Sequence, residues 1–267
     1  MSQSAARPLA GKRILAVGAS SGIGRGIGLA AVAAGAEVVF TARRKPELEA
    51  AVEAAGGGHA IAADICDEAQ VARLIDESVE VLGGLDGFVY STGYSSFGMT
   101  GDLTAATWNK VLGTNLIGAA LLARFAIPHL RKASGVGFFL SSEAVGRPRP
   151  GLVHYSTSKA AMEEMVRGLQ TEHEDLRFTR VTVGQTLGTD FGNSFEPGQL
   201  ETVMPRWLAE GHMKSAYMDA LDLGAVIVEL LTTQLLHPNV DLQSAVVRAP
   251  GPVAPPMAAV PNVGPTA

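Results

Sequence analysis

In the stretch GLVHYSTSKAAMEEM (151–165), Tyr155 and Lys159 stand four residues apart in what reads as the opening of a helix. At that spacing two side chains share one helix face, with β-carbons about 6 Å apart. A phenol with an ordinary pKa near 10 is a poor acid or base at neutral pH, but a neighbouring ammonium and a cationic nicotinamide ring both favour phenolate. Bringing it into range takes roughly 4 kcal/mol of preferential stabilisation, which two such charges in a water-poor cleft can supply. The pair alone is weak evidence, because about one chain in ten of this length and Tyr and Lys content holds one by chance. Its meaning rests on the elements that would position it.

Those elements alternate. Apolar runs of strand length fall at RILAVG (13–18), EVVFTA (37–42), HAIAAD (59–64), DGFVYS (86–91), GFFLSS (137–142), RVTVG (180–184) and SAVVRA (244–249). They are continuous rather than alternating, as strands buried on both faces should be. Between them lie helical patterns at 22–34, from Pro46 to the glycines 56–58, through Val71, Leu74, Ile75 and Leu82, at 104–132 with a break or end around Pro128, and at 155–172. Strand and helix in alternation imply an α/β fold, a doubly wound parallel sheet of about seven strands with right-handed crossovers. Residues 188–218 do not fit the alternation and read as irregular, rich in Phe191, Phe195, Met204, Trp207, Met213 and Tyr217.

The first strand runs directly into GASSGIGRGIG, which places Gly18, Gly22 and Gly24 at a strand-to-helix turn. Without β-carbons there, a backbone can approach a pyrophosphate at the positive end of the helix. Gly26 and Gly28 continue into the helix, where each costs about 1 kcal/mol relative to Ala, so close packing or a ligand must offset them. At the end of the second strand, TARRK offers Arg43, Arg44 and Lys45 where a site for NAD usually places a carboxylate for the ribose. A guanidinium can grip a 2′-phosphate in bidentate fashion, so NADP(H) is the expected cofactor, NAD(H) the lesser one, and Arg43 the leading contact. Lys45 reads better as a solvated helix start.

Together these residues resemble the short-chain dehydrogenase/reductase family, which carries a Gly-x-x-x-Gly-x-Gly turn, an Asn, a Ser and a Tyr-x-x-x-Lys in that order. Ser142 lies thirteen residues and Asn115 forty residues before Tyr155, spacings similar to the family's. The resemblance spans about residues 10 to 250 and implies one Rossmann-type oxidoreductase domain over 1–250, a substrate lid at about 188–218, and interconversion of a ketone or aldehyde with an alcohol. It implies that Tyr155 is the general acid or base, that Lys159 holds the ribose and tunes Tyr155, that Ser142 polarises the substrate oxygen, and that Asn115 orders a water leading to Lys159. The cofactor set it implies is Gly18, Ser20, Ser21, Gly22, Ile23, Gly24, Arg43, Arg44, Asp64, Ile65, Gly93, Tyr155, Lys159, Leu187 and Thr189. Two departures stand out. The family's Asn-Asn-Ala-Gly is here Tyr90-Ser91-Thr92-Gly93, so the bracing role of the first Asn must pass to another group, and Pro-Gly becomes Gly184-Gln185.

Composition narrows the rest. The chain has 267 residues, 47% hydrophobic and 18% charged, with a net charge of −5, which argues against nucleic acid or an anionic membrane as partner. No run of 18 consecutive apolar residues occurs and the N-terminus lacks the apolar run of a secretory signal, so the expected setting is cytoplasmic. Cys66 is the single cysteine and reads as a small buried hydrophobe, His154 reads as turned away from the substrate, and no histidine spacing suggests a metal. The apolar lid suggests a hydrophobic substrate. Alternatives are a 3-oxoacyl-thioester reductase, with Arg131-Lys132 as slight support, and a catalytically weak NADP(H)-binding regulatory protein. By resemblance the chain is a homodimer or homotetramer, and 251–267 is a Pro/Ala-rich tail.

Overall fold

The computed structural model describes residues 7–254. Its strands are β1 (Arg13–Val17), β2 (Glu37–Ala42), β3 (His59–Ala62), β4 (Gly87–Tyr90), β5 (Val136–Ser142), β6 (Arg177–Val183), β7 (Thr186–Leu187), β8 (Met218–Asp219) and β9 (Ser244–Val247). Seven form one parallel sheet in the order β3-β2-β1-β4-β5-β6-β9, and each corresponds to one of the apolar runs. The chain order reverses between β1 and β4, the crevice where open α/β sheets bind ligands. β7 and β8 pair with each other.

Period two along the strands explains why both sheet faces are apolar. Leu15, Val17, Phe88, Tyr90, Phe139 and Phe178 join one core, and Ile14, Ala16, Val38, Phe40, Phe138 and Val181 join the other. The first is covered by α3 (Glu68–Leu82), α5 (Gly118–Ala133) and α6 (Val153–Glu172), the second by α1 (Gly22–Ala33), α2 (Lys45–Ala55) and α8 (Ala220–Leu236).

Close packing, rather than a ligand, accounts for two helical glycines. A β-carbon on Gly26 would stand 2.9 Å from Ala220 O, one on Gly224 would overlap the Gly26 backbone, and one on Gly28 would run into the Phe40 ring. Gly26 and Gly224 are therefore the crossing point of α1 and α8.

Four expectations need correction. The run 104–132 is not broken at Pro128, which sits inside α5; Pro128 and Arg124, whose carbonyl loses its partner, are both exposed, so water can take the freed oxygen. The interruption lies earlier, where α4 (Ala105–Leu112) passes into α5 through a π-helical turn at Gly113–Ile117 that carries Asn115. By length and composition this 29-residue run could cross a membrane, yet Val111, Ala119, Leu122, Ala123, Ala126 and Leu130 are buried in the structure. Residues 188–218 are not wholly irregular, because Gln199–Ala209 forms α7. The sequence reading also stops short of α8, although Asp219 caps it by accepting from the amides of Leu221 and Asp222 at 2.7 and 3.2 Å. Finally, Cys66 is exposed at the end of the β3 segment, with Sγ 3.6 Å from Thr114 Oγ1. Of the tail, Pro252 O accepts from Ser215 N at 3.1 Å, Val253 bridges to Lys214 and Ala254 N donates to Met213 O at 2.8 Å; residues 255–267 lie outside the described residues.

Candidate active site

Four elements meet at the end of β5. Ser142 closes that strand, α6 presents Tyr155 and Lys159 on one face, the π turn supplies Asn115, and the loop after β4 supplies Gly93. The helix begins at Val153, so the pair lies in its first two turns. Burial raises the Tyr155 phenol above its ordinary pKa, while the neighbouring Ser142 side chain and the charge of Arg149 draw it back, and burial prevails.

Lys159 is turned away from that balance. Its Nζ donates to the Leu140 carbonyl at 2.8 Å, and burial lowers its pKa to about 8 against an opposing contribution from Glu163. Asn115 is fully buried and acts as a brace: its amide donates to Tyr94 O at 2.9 Å and Ser158 Oγ at 2.8 Å, and its Oδ1 accepts from Tyr94 N at 2.7 Å. Gly93 leaves the space above them open, a β-carbon there coming within 3.6 Å of Lys159 Nζ. His154 does point away, its Nε2 2.9 Å from Ser96 Oγ.

The glycine turn leads into a groove. Gly18 has φ +88° and Gly22 φ +55°, backbone that L side chains rarely adopt, and a β-carbon on Gly18 would stand 2.8 Å from Thr92 Oγ1. Ser21, at the N-cap of α1, makes no side-chain capping bond, so the first amides of the helix remain available to an anion. Beside them a cleft of about 500 Å³ is lined by Ser20, Ser21, Gly22, Arg25, Gly188 and Asp219. Arg44 Nη2 reaches Ser20 Oγ at 3.3 Å, Ser21 Oγ at 3.2 Å and Asp190 Oδ2 at 2.9 Å. Arg43 is exposed and forms no ion pair among the described residues, while Lys45 pairs with Glu49 at 3.7 Å. Asp64 accepts from Cys66 N at 2.9 Å, Ile65 is buried, Gly188 and Thr189 close the groove opposite Gly22, and Leu187 is exposed. The residues present thus fit a dinucleotide: free helix amides behind a close-packed glycine turn, beside a cleft that Arg25 lines and Arg44 approaches through Ser20 and Ser21.

A family model described as short chain dehydrogenase matches residues 12–199. The chain belongs to the short-chain dehydrogenase/reductase family. Among curated relatives, glucose 1-dehydrogenase of Gluconobacter oxydans is 34% identical over 171 residues, 61% of this chain and 64% of that one. The 11-beta-hydroxysteroid dehydrogenase 1A of Arabidopsis thaliana is 33% identical over 183 residues, 66% of this chain and 52% of that one. A hydroxynaphthalene reductase-like protein of Metarhizium guizhouense is 31% identical over 208 residues, 76% of this chain and 73% of that one. This chain spans only about half to two thirds of the length of the first two. Among solved structures, an alcohol dehydrogenase of the archaeon Thermococcus sibiricus complexed with 5-hydroxy-NADP superposes with a TM-score of 0.74 at 21% identity, over 88% of this chain and 95% of that one. A Caenorhabditis elegans short-chain dehydrogenase/reductase with cofactor gives 0.78 at 22%, over 90% and 95%. At these identities the structures speak to the fold.

Within this short-chain dehydrogenase/reductase, the two departures from the family pattern find physical replacements. Tyr90 is buried and its hydroxyl donates to Thr114 O at 2.5 Å, tying β4 to the π turn. Gln185 pins the following segment, accepting from Lys214 N at 2.8 Å and donating to Lys214 O and Ala216 O at 3.2 and 3.3 Å. Sequence reasoning also passed over Glu143 and Arg149, a half-buried pair at 2.5 Å within the loop between Ser142 and Tyr155. Their position between two site residues was the available signal. Asp190 carried none, since its partners lie far along the chain, whereas the signal for Glu163 was its spacing of four from Lys159. Arg131 forms an exposed pair with Asp175.

Over Tyr155 lies an apolar cover. Phe191 stands edge-on to the Tyr155 ring with centroids 5.1 Å apart, Phe195 and Phe97 continue the stack, and Trp207, Met204 and Met213 pack behind them. Trp207 Nε1 donates to Pro150 O at 3.0 Å, fastening α7 to the loop before α6. Tyr217, by contrast, is exposed. A second cleft, of about 680 Å³, opens beside Phe97 between Tyr94, Lys110 and the 194–199 segment.

Proposed function

We propose that this protein is an NADP(H)-dependent oxidoreductase interconverting a hydrophobic ketone or aldehyde and its alcohol. The observation that carries this reading is the convergence of Ser142, Tyr155 and Lys159 at the end of β5, one strand from the switch point of the sheet and beneath an apolar cover. Bound NADP(H) supplies or accepts the hydride. In reduction Tyr155 gives its hydroxyl proton to the substrate oxygen and Ser142 donates a hydrogen bond to the same oxygen; in oxidation Tyr155 takes the proton back. Lys159 holds the nicotinamide ribose and favours the tyrosinate, with Asn115 bracing the turn through which a water would reach it. Asp64, Ile65, Gly93, Leu187 and Thr189 border the adenine and carboxamide ends, and Ser20 to Gly24 face the pyrophosphate.

The absence of a carboxylate at the end of β2, together with Arg43 and Arg44, supports NADP(H) over NAD(H). The packing of Phe191 and Phe195 on Tyr155 supports residues 188–218 as a lid and an apolar substrate, because a ring that displaces Phe191 keeps the cavity dry. A homo-oligomer through α4–α5 and α6 follows from the family resemblance.

Fluorescence titration with NADPH and NADH, followed by a panel of apolar ketones, tests the reading. Tighter binding and consumption of NADPH are expected. Tyr155→Phe should leave NADPH affinity nearly intact while lowering turnover by orders of magnitude. Cofactor binding without turnover on any carbonyl or alcohol would instead favour a regulatory role, and preference for NADH would overturn the assignment of Arg43 and Arg44.

A further inference from the structure

Glu163 follows Lys159 by one helical turn on α6 and is itself buried, with 8% of its surface exposed against 4% for Lys159. A carboxylate in such a place is costly unless charges and hydrogen bonds offset it. Ser141 Oγ donates to its Oε1 at 2.5 Å. Arg180 Nη1, reaching in from β6, lies 3.6 Å from Oε2, close enough for charge attraction but too far for a hydrogen bond. The carboxylate is therefore held toward β5 rather than seated in the Arg180 fork, as it would be if pairing that arginine were its purpose.

Ser141 lies between the two residues of β5 that the site uses. Leu140 accepts the Lys159 ammonium on its carbonyl, and the Ser142 side chain neighbours Tyr155. Gripping Ser141 thus fixes both neighbours along the strand. The charged and titratable groups around Lys159 are Tyr155 one turn before it, Glu163 one turn after it, and Arg180 beyond Glu163; Asn115 from the π turn and Ser142 from β5 are neutral, and Gly93 offers backbone only.

We propose that Glu163 is a positioning residue for Lys159, its buried carboxylate keeping the ammonium charged and the end of β5 in register with Tyr155. The proposal deepens the catalytic reading of Lys159 and rests on it only for the consequence in turnover. Without Glu163, Lys159 would shed its proton at lower pH, in keeping with the opposing contribution of Glu163 to the drop caused by burial.

The test needs no cofactor. Protein labelled with [13Cε]lysine is titrated by NMR, and the Lys159 signal is assigned among the lysines from its loss in Lys159→Met. In the unsubstituted protein this signal should titrate at about 8. In Glu163→Gln it should titrate lower, and in Glu163→Asp near the unsubstituted value. Unchanged titration in a folded Glu163→Gln would overturn the proposal. If Glu163→Gln does not fold, Ser141→Ala replaces it: with the carboxylate released from β5 the Lys159 signal should again titrate lower, and an unmoved signal would overturn the proposal. The pH profile of turnover separates the two readings: a moved Lys159 titration with an unmoved profile means that the Glu163–Lys159 coupling stands and the catalytic role of Lys159 fails.

Discussion

Lys159 shows how a single residue can weaken a fold while serving a site. Its folded pKa of about 8 lies below the ordinary value of 10.5, so the folded state binds its proton less readily than the unfolded chain. The resulting penalty is present in full below about pH 8 and fades as pH rises toward 10.5; each pKa unit corresponds to about 1.4 kcal/mol, which makes it about 3 kcal/mol at neutral pH. Lys159→Met removes it at the loss of one hydrogen bond to Leu140, worth about 1 kcal/mol. The variant should be about 2 kcal/mol more stable than the parent at pH 7 and no more stable at pH 10.5, while turnover collapses. Urea midpoints at the two pH values check this, and an equal gain at both would mean that the ammonium is not strained by burial.

Glycine has opposite meanings on two helices, and the neighbours decide which. On α8, Gly224 faces the backbone of Gly26, so a side chain there must push α1 and α8 apart. Gly224→Val should cost about 3 kcal/mol, seen as a lower urea midpoint at an unchanged m-value. On α6, Gly168 has nothing within 4 Å of the place its β-carbon would take. Gly168→Ala should therefore stabilise the protein by roughly 0.5–1 kcal/mol, because only helix propensity is in play. A loss of stability in Gly168→Ala would show that α6 meets a surface absent from the single chain.

At the scale of the whole molecule, the segment after β7 reaches back to the first turn of α1. Asp190 Oδ2 accepts from Ser21 Oγ at 2.8 Å and from Arg44 Nη2 at 2.9 Å, joining residues 169 and 146 positions apart. Under the proposed NADP(H) reading, a carboxylate thus engages Arg44, one of the two guanidinium groups assigned to the 2′-phosphate. Asp190→Ala should raise affinity for 2′,5′-ADP a few-fold, the scale of an exposed ion pair worth up to about 1 kcal/mol. Calorimetric titration at low and moderate salt checks it; unchanged or weaker binding would mean that Asp190 does not compete with the phosphate.

The strands were legible because burial on both faces leaves a continuous apolar run, a signal each segment carries alone. The phosphate turn and the Tyr155–Lys159 pair were legible for the same reason, since their spacing is local. Pro128 misled because proline breaks a helix only where the freed carbonyl has no other partner, and exposure at Arg124 and Pro128 is a tertiary property. Cys66 misled likewise, exposure being a tertiary property that its residue type does not carry. Only the folded chain could reveal that Gly26 is a helix crossing, that Tyr90 braces the π turn, that Phe191 covers Tyr155, and that Glu163 and Arg180 meet beneath Lys159. Local periodicity records which way a side chain must face. Which distant group it meets there depends on how the layers stack, and stacking exists only in three dimensions.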